Sequence, residues 1–295
     1  MDTLAELQVL ISRYAAVSGW REHFSGIEVT AADAPTQPMQ CVADPMFVLV
    51  AGGAKQVMVN DSALNYGAGQ YLVVSAALPI TAHITRAGPD EPFVSFAMAL
   101  KPAAIAALLL ETAEFDGTCS DPGGMAISDA PFALTDSVVR LLRLFDSPSD
   151  ARALGPAVER EILWRLITGA QGPMVRHLGL ADSSLSRVSR TIHWIRRYYD
   201  ESVRIEELAE MAKMSQTLFH RHFKSVTGLT PIQYQKKIRL QEARILLRGS
   251  PRDVAGVGFA VGYESASQFS REYRRQFGVT PSEDVAHAKR AASGA

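Results

Sequence analysis

The sequence has little cysteine. Two residues, Cys41 and Cys119, stand in 295 positions, too few for a disulfide framework or a structural zinc site. It has no run of about 18 apolar residues, so no membrane-spanning helix is expected. The amino terminus, MDTLAELQVLISRYAAV, puts acids where a secretory signal needs basic residues. It reads instead as the first helix of a cytoplasmic protein. There is no G-x-S-x-G elbow, no H-E-x-x-H pair and no phosphate-binding P-loop. No arginine motif argues for a cyclic dinucleotide. The strand-rich stretch 46–100 offers a single histidine, His83, with Glu91 in a turn. That cannot make a three-ligand metal centre, so neither a metal nor another cofactor is expected.

Net charge is almost absent as well, at −1, but the average conceals an asymmetry. Residues 1–180 hold 11 basic and 19 acidic residues; residues 181–295 hold 19 basic and 12 acidic. An acidic front (−8) and a basic back (+7) suggest that the back meets a polyanion. The basic part peaks in SQTLFHRHFKSVTGLTPIQYQKKIRLQEARILL, residues 215–247, where Glu242 is the one acid and aromatics recur.

Periodicity divides the chain similarly. Residues 5–18 read as an amphipathic helix with Leu7, Leu10, Ile11 and Tyr14 on one stripe. Five or six short strands follow over 46–100, with Gly52-Gly53 as a hairpin signal, and predict a small antiparallel barrel or sandwich. Helices are expected at 102–113, 133–145 and 154–169. TGAQGPM, residues 168–174, is the best linker candidate. Beyond about 181 everything looks helical. The fold class is therefore α+β: a small antiparallel barrel with helices over 1–180 and an all-α domain over 181–295.

The helical part repeats. At an offset of fifty, Ser215 falls on Ser265, Phe219 on Phe269, Arg221 on Arg271, Phe223 on Tyr273 and Gly228 on Gly278. Upstream the offset is forty-nine, and the slip lies at KMS against GYES. Each copy reads helix, short turn, helix, Gly, Thr-Pro, which is the helix-turn-helix plan. Phe219/Phe223 and Phe269/Tyr273 are four apart and face the core. Positions 217, 220, 221 and 267, 268, 271 lie on other faces. His220 and His222 point to different sides of a helix and do not make a metal site.

Residues 186–290, through GFAVGYESASQFSREYRRQFGVTPSED and the 214–247 stretch, resemble the DNA-binding domain of the AraC/XylS family of bacterial transcription regulators. MFVLVAGGAKQVMVND and YGAGQYLVVSAALPIT are similar to the cupin-like N-terminal sensor domain of one subgroup. The resemblance implies a cupin-like β-barrel, seven helices in the DNA-binding domain, two reading heads and a long connecting helix over 231–247. It also implies duplex DNA, RNA polymerase and a small-molecule effector as partners, and a homodimer. Lys213 stands where the family commonly has glycine in the first turn.

Arg221 and Arg271 sit where the family reaches bases, and arginine is the residue that most often reads guanine. Thr217 and His220 flank the first, and Ala266, Ser267 and Gln268 the second. Ser215, Lys224, Ser265 and Arg274 are expected on phosphates. Lys236, Lys237 and Arg239 are expected to keep positive charge near the DNA. Tyr66, Tyr71, His83 and Phe96 are candidates for lining an effector pocket. Val158, Ile162, Leu163, Leu166 and Ile167 make a stripe that fits either a dimer partner or the protein's own barrel. Two other readings stay open: a front half that is a metal-free enzyme, and a thiol switch at Cys41, which has no basic neighbour in sequence.

Overall fold

The computed structural model describes residues 3–16, 24, 26–60, 62–112, 124–180, 183–249 and 253–293. Cys119 lies outside them. The chain falls into two compact units, Met1–Ser189 with Ser225–Gly228, and Arg190–Lys224 with Leu229–Ala295.

The first unit opens with helix α1 (Thr3–Ala15), which buries Leu7, Ile11 and Tyr14. The strands are β1 (Ile27–Ala32), β2 (Met39–Ala43), β3 (Met46–Gly52), β4 (Ala54–Val59), β5 (Ser62–Gly67), β6 (Gln70–Val74), β7 (Leu78–Arg86), β8 (Phe93–Ala99) and β9 (Met125–Asp129). They form two antiparallel sheets, in the orders β1-β8-β3-β6-β9 and β2-β7-β4-β5. Helices α2 (Pro102–Thr112), α3 (Phe132–Arg143), α4 (Pro148–Thr168) and α5 (Gly172–Gly179) complete the unit.

Gly52-Gly53 does not make a hairpin. Strand β3 pairs with β6 and β8, whereas β4 pairs with β5 and β7. The two glycines form the corner where the chain leaves one sheet for the other. Gly53 has φ +70°, and a Cβ there would lie 2.4 Å from the Arg86 carbonyl oxygen. A side chain has no room at such a close crossing of strands.

Helix α4 starts six residues before the predicted helix, at a Ser147 cap whose hydroxyl accepts from the Asp150 amide at 3.4 Å. Its stripe of Ile162, Leu163, Leu166 and Ile167 is buried within the chain itself. Those side chains are therefore already packed inside the first unit, where α4 meets α2, α3 and α5 and not chiefly the strands expected as its own-chain partner. Residues 169–171 are a turn, not a linker: α4 and α5 lie on either side of it within one unit, and a Cβ on Gly172 would meet the Ile167 carbonyl at 2.3 Å.

Helix α6 (Ser184–Arg197) carries the chain from the first unit into the second. Six more helices follow: α7 (Ile205–Met211), α8 (Gln216–Thr227), α9 (Pro231–Gly249), α10 (Val254–Ala260), α11 (Ala266–Phe277) and α12 (Pro281–Ser293). Seven helices among the described residues match the expected number. Helix α9 is the connector, opened by Pro231 at its first position, where proline costs no hydrogen bond. Leu240, Ala243 and Leu247 of α9 share one core with Val257, Val261, Tyr263, Phe269 and Tyr273.

A candidate nucleic-acid interface

Two helix pairs, α7–α8 and α10–α11, are built by the same backbone device. In the first, the Lys213 amide donates to Glu210 O (2.8 Å) and the Met214 amide to Ala209 O (2.9 Å). In the second, the Gly262 amide donates to Phe259 O and the Tyr263 amide to Gly258 O, both at 3.0 Å. These are the same bonds displaced by forty-nine residues, and both close a helix through a left-handed residue. Lys213 has φ +54° and Gly262 φ +87°. The lysine at the first turn therefore leaves its geometry intact and strains its own backbone instead. Glu264 is the extra residue that changes the offset to fifty.

After each turn a serine caps the next helix. Ser215 Oγ accepts from the Leu218 amide and Ser265 Oγ from the Gln268 amide, both at 3.4 Å. A capping hydroxyl satisfies one of the free amides at a helix start, and Ser265 Oγ also shares a hydrogen bond with Ser267 Oγ at 2.9 Å. Phe219 and Phe223 are buried, with ring centroids 5.5 Å apart, and Phe223 meets Tyr234 of α9 at 5.7 Å. Phe269 and Tyr273 repeat the contact at 5.5 Å.

With those faces anchored, the opposite faces are fixed. Thr217, Arg221 and Lys224 on α8, and Ser267, Arg271 and Arg274 on α11, are exposed; His220, Ala266 and Gln268 are half-buried beside them. Each head thus presents its candidate residues on one side. Gln268 is already engaged, donating to Glu272 Oε1 at 3.3 Å.

The connector departs from expectation. Arg239 is a structural clamp: it donates to the carbonyls of Tyr199 (2.6 Å), Gly262 (2.7 Å), Glu201 (2.8 Å) and Asp200 (3.2 Å). Burial lowers its pKa, opposed by Tyr263 and by Asp200, Glu272 and Glu264. Lys236 pairs with Glu272 at 2.8 Å. Two of the three positive charges assigned to the DNA are therefore committed inside the unit. Sequence cannot show this, because their partners lie up to forty residues away.

The second head has a further anchor that periodicity did not single out. Asp284 of α12 is buried and accepts from Tyr273 Oη (2.6 Å), Arg248 (2.7 Å) and Arg244 (2.8 Å). Burial opposes its charge, but the bonds from Arg248, Tyr273 and Arg244 hold its pKa at about 2.

The four residues proposed for one effector pocket are dispersed. Tyr71 and Phe96 belong to the sheet face that packs on helices: Phe47 sits 5.7 and 6.2 Å from their rings, and the Tyr71 hydroxyl bonds with Ser128 and the Gln171 backbone. His83 pairs with Gln56 on the outer face of the smaller sheet. Only Tyr66, directly opposite Lys55, points between the sheets. Strand alternation separates them, since neighbouring register positions face opposite sides. Cys41 is half-buried. Burial raises its pKa, and Lys55 acts against that. Lys55 is the basic neighbour missing from the sequence around Cys41. Its place two residues before the inward Val57 was the available signal. Among the described residues no three His, Cys, Asp or Glu side chains group as metal ligands.

A family model described as the AraC-type transcriptional regulator N-terminus matches residues 23–174, and a helix-turn-helix domain model matches residues 208–286. The chain belongs to the AraC family of transcriptional regulators. Among curated AraC-family relatives, the HTH-type transcriptional activator RhaS of Escherichia fergusonii is 32% identical over 149 residues, covering 50% of this chain and 52% of the relative. RhaS of Klebsiella pneumoniae is 29% identical over 147 residues, covering 49% and 50%. The chain thus matches about half the length of these relatives. ToxT from Vibrio cholerae O395, bound to (E)-4-(8-methylnaphthalen-1-yl)but-3-enoic acid, shares the fold at a TM-score of 0.57 and 8% identity, over 90% of this chain and all of that one. ToxT bound to an unsaturated fatty acid gives 0.53 at 9% identity, over 88% and 95%. No helix among the described residues is long and apolar enough to cross a membrane.

Proposed function

We propose that the protein is a sequence-specific transcription regulator that binds duplex DNA through two helix-turn-helix heads and answers to a small molecule held in its N-terminal sheets. The observation that supports this best is the repeated turn: two helix pairs with the same closing bonds, the same serine cap and an exposed arginine at the same place. Arg221, with Thr217 and His220, reads bases for the first head. Arg271, with Ala266, Ser267 and Gln268, reads them for the second. Lys224, Arg274 and the two capping serines hold phosphates. Residues 1–180 act as the sensor and 181–295 as the DNA-binding domain. RNA polymerase and a second copy of the chain are its protein partners. The buried α4 stripe leaves dimerisation to another surface.

Two heads joined by one connector enter successive major-groove segments, about 34 Å apart. Footprinting the full chain on DNA selected from a random pool tests this. Two protected segments about one helical turn apart are expected. One short protected segment would mean that only one head docks.

A further inference from the structure

We propose that the inner faces of the two sheets, at the edge where Lys55 and Tyr66 stand opposite each other, take an organic carboxylate with an apolar body. This deepens the effector-sensing part of the function proposed above and rests on it.

Lys55 of β4 lies directly opposite Tyr66 of β5 and, on its other side, Ile84 of β7. Directly opposed residues of an antiparallel pair share a face, with Cβ atoms about 5 Å apart. That face is the inward one: Tyr66, Val57, Ile80, Ala82 and Ile84 on it are buried. On β1, Glu28 alternates with the helix-facing Ile27 and Val29, and its charge acts on Lys55. The Glu28 face of the larger sheet is therefore turned toward Lys55. The same face of that sheet carries Val48, Val50 and Leu72, aligned through β8, β3 and β6.

In these surroundings the Lys55 ammonium makes no hydrogen bond or ion pair among the described residues, and neither does the Tyr66 hydroxyl. Both side-chain ends still reach water, so a ligand that displaces that water has to offer an acceptor in its place. Burial lowers the lysine pKa against the pull of Cys41 and Glu28, and burial raises that of Tyr66. Glu28 faces the amine but is exposed and forms no ion pair with it.

The way in is at the half-exposed edge. Glu28, Thr30 and Met39 are exposed, and Cys41, Lys55 and Leu64 are half-buried. A ligand entering there meets one cation, one hydroxyl and aliphatic walls. A sugar would find too few polar partners for its hydroxyls, and an inorganic phosphate too few donors to replace its water. A carboxylate on a hydrocarbon or aromatic body satisfies both groups and fills the rest with apolar contact.

The test is binding of octanoate and benzoate to the full chain by calorimetry, with octan-1-ol and benzyl alcohol as neutral counterparts. At least one carboxylate should bind and its alcohol should bind at least tenfold more weakly. Lys55→Met should weaken the carboxylate about 10- to 100-fold, the span of a hydrogen bond to a charged group. Lys55→Arg should retain binding, which separates lost charge from lost fold. Tyr66→Phe should weaken it severalfold. The proposal is overturned if neither carboxylate binds the native chain, or if Lys55→Met binds it as tightly. An alcohol that binds the native chain as tightly as its carboxylate also overturns it. DNA affinity, measured on the same samples without additive, reports separately on the regulator reading.

Discussion

Replacing Gly262 by alanine should destabilise the second unit by about 3–5 kcal/mol. Gly262 has φ +87°, a conformation that costs an L-residue about 1–2 kcal/mol. An added Cβ would lie 2.2 Å from the Asp200 carbonyl oxygen and 2.7 and 2.8 Å from the Arg239 guanidinium. The oxygen is backbone, so the guanidinium must move away. Arg239 holds four carbonyls, and losing even two of those bonds costs about 1 kcal/mol or more each. The matched control is Lys213→Gly at the equivalent turn. It relieves about 1–2 kcal/mol of left-handed strain and forfeits about 0.5–1 kcal/mol of chain entropy. The expected result there is neutral to slightly stabilising. Urea unfolding followed by far-UV circular dichroism compares the two. If Gly262→Ala costs less than about 1 kcal/mol, the clamp reasoning is wrong.

Asp284 should make the second unit acid-labile. Its folded pKa of about 2 lies below its ordinary value of about 3.9, so its contribution is full above the ordinary value and lost as pH falls through the folded one. That contribution is on the order of 2 kcal/mol, and Asp284→Asn should flatten the stability profile between pH 4 and 2 in unfolding series at fixed pH. Arg239→Lys keeps the charge but loses the planar fork, and should cost about 2 kcal/mol in the same urea assay. Lys224→Ala and Arg274→Ala should each make the slope of log K against log salt shallower by about 0.9, read from DNA titrations at several salt concentrations. An unchanged slope would remove those residues from the phosphates.

The helical half was legible because its information is local. Phe219, Phe223, Phe269 and Tyr273 announce a buried stripe, and the Gly-Thr-Pro pairs mark the helix ends. The repeat then compares the sequence with itself. What the repeat could not show was commitment across distance. Arg239 and Lys236 look like free positive charge until the carbonyls of Tyr199–Glu201 and the Glu272 carboxylate are placed beside them. In the sheets the difficulty was register. Gly52-Gly53 has the composition of a hairpin, and only pairing distinguishes a hairpin from a corner between sheets. Strands β1, β2 and β9 were missed because IEVTAA, MQCVA and MAISD are short and carry few large apolar residues. Aromatic content marked Tyr71 and Phe96 as pocket candidates, but alternation places them against helices, while Lys55, a residue type usually left on the surface, points inward.

Sequence-specific regulation by this protein depends most directly on whether Arg221 and Arg271 read bases. The measurement is selection of bound sequences from a random duplex pool by the native chain, by Arg221→Ala and by Arg271→Ala. Each variant should lose about 1–3 kcal/mol of affinity for the native site and relax selection only beneath its own head. The other half of the motif should stay intact, because the flanking residues differ between the heads: Thr217 and His220 in one, Ser267 and Gln268 in the other. If both variants lose affinity but select the unchanged motif, neither arginine reads a base. The two heads would then be a clamp whose specificity comes from DNA shape.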